Sequence, residues 1–151
     1  MSSATDTAVI ESYSEPGEIE ALVSAFEACT LPREEWTHRA HLTVALWYLL
    51  HHDAAEATPL IRAGIQRFNR ARGIMTTRTG GYHETITLFY IRVIDKYLSG
   101  ARTETTLINL FNNLFEKYGD RRLPLEYYSR ERLMSSEARL RWVEPDLRPL
   151  D

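Results

Sequence analysis

The stretch from Trp36 to His51 constrains the fold most, because Ala40, Leu42, Val44, Ala45, Leu46, Trp47, Leu49 and Leu50 leave it apolar on nearly every side. A helix without a polar face is stable only when neighbours cover it all round, so this segment predicts the centre of a helical bundle. Thr37 is suited to cap it, although Pro32 followed by Glu34 and Glu35 offers an earlier start.

The flanking segments are amphipathic. After Pro16 and Gly17, residues Ile19, Leu22, Val23 and Phe26 recur at i, i+3, i+4 and i+7, and that helix ends near Thr30, before Pro32. Asp53, or Thr58 followed by Pro59 at a first helical position, opens the next, with Leu60, Ile61, Ile65 and Phe68 as its stripe and Gly73 as its end. Residues Ile74 to Gly81 read as a loop. A further period from Tyr82 buries Ile86, Phe89, Val93 and Tyr97 and stops at Ser99-Gly100. Thr103 and Glu104 begin a fifth helix that turns Leu107, Ile108, Phe111, Leu114, Phe115 and Tyr118 inward and closes at Gly119. Beyond Asp120, three prolines break the chain while Leu123, Leu125, Tyr127, Tyr128, Leu133, Met134, Leu140, Trp142 and Val143 need burial, which predicts a wrapping tail with short helices at Ser129 to Met134 and Ser136 to Val143. The expected fold is all-α, a single-domain bundle of four to five main helices over 17–151 with a wrapping C-terminal tail. Residues 1–16, small and polar, are expected to form a loose tail outside the core.

With 151 residues, 44% of them apolar and 26% charged, the chain has the size and balance of one globular domain. The longest apolar run, Leu42 to Leu50, contains Thr43 and Tyr48 and is too short for a bilayer span. Met1 to Glu15 lacks the basic flank and apolar stretch of a secretory signal, so a cytoplasmic location is expected. The lone Cys29 reads as a buried thiol, and a net charge of −3 disfavours nucleic acid as a partner.

Three of the five histidines are spaced for chemistry. His38 and His41 lie one helical turn apart on one face, where two imidazoles can share a metal ion. His83 opens a separate helix after Gly80-Gly81, and a pair from one helix completed from another is a usual way to build a metal site in a bundle. The trio, with water in a fourth position, would suit zinc, iron, manganese or nickel. Glu84 sits about 100° round the helix from His83. Shared ligation is therefore awkward, and the residue reads as a catalytic general base, an orienting partner, or a capping or surface residue. Glu27, Glu34 and Glu35 are alternative carboxylates. Equally, a histidine near a helix start is often a cap or a satisfied core residue, and His51 and His52 need only the dipole of their helix end. Among the arginines, Arg78, Arg130 and Arg132 are candidates to hold an anionic substrate group.

The segments Trp-Thr-His-Arg-Ala-His-Leu (36–42) and Gly-Tyr-His-Glu-Thr-Ile-Thr (81–87), with Tyr-Ser-Arg-Glu-Arg-Leu and Trp-Val-Glu-Pro-Asp-Leu near the end, resemble those of small uncharacterised bacterial proteins. The resemblance runs from about Phe26 onward and implies a bacterial origin and a shared architecture, without a substrate. The architecture is also similar to DinB-type bundles, which hold one metal through three histidines; no residue matches closely enough to carry over.

Two functional readings follow. One is a metal-dependent enzyme with an open site at His38, His41 and His83. The other is a non-catalytic module that takes a small molecule or a partner protein between its helices, with the histidines as polar anchors. A helix-turn-helix built on Arg62 to Arg78 is disfavoured by the acidic balance. No glycine-rich phosphate loop precedes a helix, so no organic cofactor is expected. Pairing of two chains through an apolar helix face is compatible with such a bundle.

Overall fold

The apolar helix does sit at the centre. In the computed structural model, which describes residues 12–101 and 105–150, it is α2 (His38–His51), packed against α1 (Pro16–Glu27), α3 (Ala54–Ala71), α4 (Glu84–Ala101) and α5 (Leu107–Tyr118). Two short helices, α6 (Arg130–Leu133) and α7 (Ser136–Leu140), follow, and the described residues contain no strand. None of their helices is long and apolar enough to cross a membrane. Leu42, Val44, Leu46 and Leu49 of α2 are buried, and even Thr43 is enclosed, its hydroxyl meeting that of Tyr13 at 2.9 Å.

Local chemistry sets the helix starts. Thr37 accepts a hydrogen bond from the Ala40 amide (3.2 Å), and Asp53 accepts one from Glu56 (2.8 Å). Asp53, rather than Thr58, is thus the cap of α3, and Pro59 lies inside the helix. The amide that Pro59 lacks would have bonded the carbonyl of Ala55, which is exposed and can bond water instead. Leu60, expected in the buried stripe, is 43% exposed; the face against the core is Ala57, Ile61, Gly64, Ile65, Phe68 and Asn69. In α4 the buried positions are Thr85, Phe89, Tyr90, Ile91, Ile94 and Leu98, with Ile86, Val93 and Tyr97 half-buried at its flank. Thr106 caps α5, and the expected start at Thr103 lies outside the described residues.

Of the N-terminal residues expected to be loose, 1–11 lie outside the described residues, while Tyr13 is buried against Phe111 and Phe115 and its backbone exchanges two hydrogen bonds with the Asn112 side chain. Cys29, half-buried rather than buried, ends the turn after α1 with φ of 60°. Toward the C-terminus, Tyr128, Leu133 and Val143 are buried, but Met134 and Leu140 face outward. The Tyr128 hydroxyl donates to the Val143 carbonyl (2.7 Å), and the Thr85 hydroxyl donates to that of Arg141 (2.8 Å), tying this segment to α4.

Candidate functional site

The first turn of α2, the second half of α3 and the start of α4 enclose a cleft of about 450 Å³, and His38, His41 and His83 all lie on its wall. Their ring nitrogens are in different states.

His41 is positioned by the same threonine that starts its helix. Its Nδ1–H donates to the Thr37 carbonyl (2.7 Å), which can only accept, so the proton belongs on Nδ1. Trp36 lies against the ring with centroids 3.8 Å apart and is itself wedged on Phe26 and Phe68. Burial pulls the imidazole down to about 4, only partly opposed by the Thr37 carbonyl and reinforced by His38 and Arg121. The ring is therefore neutral near pH 7, and its Nε2 carries a lone pair that accepts no hydrogen bond from the described residues, on a ring that lines the cleft. His38 is similar: Nε2–H donates to the Tyr118 carbonyl (3.3 Å), Tyr90 meets the ring edge-on, and Nδ1 bonds none of the described residues. Burial lowers its pKa as well, with the carbonyl opposing.

His83 is buried and fully engaged. Its Nδ1 accepts the Ile86 amide (3.2 Å), as a capping oxygen would at the start of α4, and its Nε2–H donates to the Leu133 carbonyl (2.8 Å). Metal binding by this ring would cost one of those bonds. Burial again lowers its pKa, reinforced by the charge of Arg139.

Glu84 is not on the cleft wall. Both its oxygens are taken, by Arg62 (Nε 3.0 Å, Nη2 2.6 Å) and by the Tyr82 hydroxyl (2.6 Å). Burial would raise this carboxyl, but the Arg62 and Tyr82 hydrogen bonds and the Arg62 charge hold it below the usual range. An ion-paired carboxylate of this kind is a poor proton acceptor and reads as a clamp between α3 and α4. Among the described residues no group of three or more His, Cys, Asp or Glu is placed to hold a metal ion.

The loop that carries His83 is held from beneath. Gly81 has φ of 84°, and a Cβ there would come within 2.5 Å of the Met75 carbonyl oxygen, so only glycine fits. The buried guanidinium of Arg139 donates through Nη1 to the carbonyls of Gly80, Gly81 and Tyr82, at 3.0, 3.3 and 3.1 Å.

None of Arg78, Arg130 and Arg132 lines the cleft. Arg78 and Arg130 are exposed, and Arg132 donates to the Glu144 carbonyl (2.6 Å). The arginine at the cleft is Arg121, just past α5. Asn69 was also unforeseen: it is 7% exposed, lines the cleft, and its buried Oδ1 has no hydrogen-bond partner. Its one sequence signal is an amide four residues after Ile65, on the core face of α3. Compared with protein families, curated proteins and solved structures, the chain matches none.

Proposed function

We propose that the cleft is a small-molecule site, with the neutral imidazoles of His38 and His41 as its hydrogen-bond acceptors. The observation that carries this reading is His41: one nitrogen is fixed by the Thr37 carbonyl, one bonds no described residue, and the ring packs at a 30° tilt on Trp36 on the wall of a 450 Å³ cleft. A volume of that size is in the range of pockets that enclose small ligands, and a wall of aromatic rings with a few aimed polar groups is their usual make-up. A neutral-fragment screen followed by nuclear magnetic resonance tests it. Fragments should shift the Trp36 indole signal and the amides of Ile86 and Thr87 together, and His41→Phe should abolish the response. Fragments that bind only elsewhere on the surface would refute it.

A metal-dependent enzyme is the second reading, favoured by the two unpartnered nitrogens of His38 and His41, one turn apart on the same wall. Such a pair would hold an ion with water and a third group, and the ion would serve to polarise a substrate oxygen or activate water. Elemental analysis of untagged protein separates the two readings. About one equivalent of a transition metal, lost in both His38→Ala and His41→Ala, favours the enzyme. Protein that takes up none when offered zinc, iron, manganese and nickel favours the binding site.

A further inference from the structure

The charge distribution around the cleft narrows the ligand, on the reading that the cleft is a small-molecule site. Among the described residues Arg121, itself exposed, is the one charged side chain on its wall, and it makes no ion pair or hydrogen bond with another of them. Among the described residues no carboxylate lines the cleft; Glu84 is taken by Arg62, and neighbouring Asp120 is paired with Arg122 at 3.3 Å. The first turns of both α2 and α4 border the same space, so the positive ends of two helix dipoles open onto it. Asn69, nine-tenths buried, lines the same space with an Oδ1 that accepts no hydrogen bond from the described residues and so calls for a donor, not for an anion.

Two further features set the rest of the ligand. The nitrogens of His41 and His38 left without a partner among the described residues accept and do not donate, so a purely anionic molecule would meet lone pairs; the ligand must bring a donor of its own, and beside the Arg121 charge a neutral O–H is favoured over an ammonium N–H. Past His38 and Tyr90 the cleft narrows into an apolar slot of about 80 Å³ between Leu42, Ala45, Ile61 and Ile91. That is roughly half the ~150 Å³ cavity known to admit benzene, which suits a short aliphatic chain rather than a ring. We infer that the site takes a small aliphatic hydroxy-carboxylate, with its carboxylate at Arg121, its hydroxyl donating to His41 Nε2 and its tail in the slot.

The test titrates the full chain with four five-carbon probes, 2-hydroxypentanoate, pentanoate, 1,2-pentanediol and pentylamine, and follows the amides of Asn69, Ile86 and Thr87. The hydroxy acid should bind about tenfold tighter than either the simple acid or the diol, since each of those lacks one hydrogen-bonded group. Arg121→Gln should erase its advantage over the diol and leave the diol unchanged. Equal or tighter binding of the diol or the amine overturns the ligand class and leaves the cleft a small-molecule site. Cleft signals unmoved by all four overturn the class too, and a neutral-fragment screen that also leaves them unmoved removes the small-molecule reading with it.

Discussion

Two ends of the same cleft treat their polar groups in opposite ways. At the corner where α4 begins, His83, Glu84, Tyr82 and Arg139 are each tied to a partner inside the protein, and Gly81 has no room for a side chain. At the start of α2, one nitrogen of each histidine is held and the other bonds no described residue, the buried Oδ1 of Asn69 has no partner among them, and the exposed Arg121 makes no ion pair with them. A buried polar group that is satisfied contributes to stability; one left unsatisfied costs free energy, and its retention points to a partner from outside. The closed corner therefore reads as scaffold and the open end as site, although both present histidines with similar sequence surroundings.

Substitutions can break this contrast, and the largest effects belong at the closed corner. Gly81→Ala should cost about 3 kcal/mol, combining a strained positive φ with a backbone clash, as read from urea unfolding midpoints. Arg139→Met should cost about 2 kcal/mol, because three carbonyls of one turn lose their charged donor, and hydrogen exchange should rise at Tyr82 and His83 first. If both variants unfold like the parent, the corner is not the scaffold.

A pH effect comes next. His41 has a folded pKa depressed from 6.5 to about 4. Its contribution to stability is complete above the unfolded value and declines as the pH falls through that interval, because the unfolded chain takes up the proton first. The loss from His41 should be on the order of 2 kcal/mol between pH 7 and pH 4, allowing for a half-buried ring, and His41→Gln should remove that part while leaving the share of His38 and His83, which burial also depresses. Glu84→Gln should cost about 1 to 2 kcal/mol at neutral pH by leaving Arg62 unpaired, with ligand binding unchanged. Since the folded carboxyl is held below the usual range, the parent should surrender this advantage as the pH falls from the ordinary glutamate value of 4.5 through the lower folded one, and the variant should not. Smallest of all, Arg121→Gln should shift stability by no more than about 0.5 kcal/mol while altering ligand affinity, the signature of an open end.

The helical character of the chain and the central place of α2 were legible because an all-round apolar helix admits one environment. The pairing of His38 with His41 was legible for the same reason, spacing alone placing them on one face. What failed to show depended on distant or local detail. Periodicity cannot choose between adjacent Leu60 and Ile61, so both enter the expected stripe although Leu60 is exposed. The second nitrogen of His83 is satisfied by the carbonyl of Leu133, fifty residues later, and no residue type announces a backbone acceptor. Asn69 hides among apolar neighbours of α3, and Arg121 becomes relevant only through the direction in which the chain leaves α5.

The most direct measurement is a long-range proton–nitrogen correlation spectrum of the imidazole rings near pH 7, before and after zinc or a cleft ligand is added. The account predicts His41 protonated on Nδ1 with a bare Nε2 that moves on addition, beside a His83 protonated on Nε2 that does not. A His83 ring that moves while His41 stays still, or a His41 proton on Nε2, would contradict it.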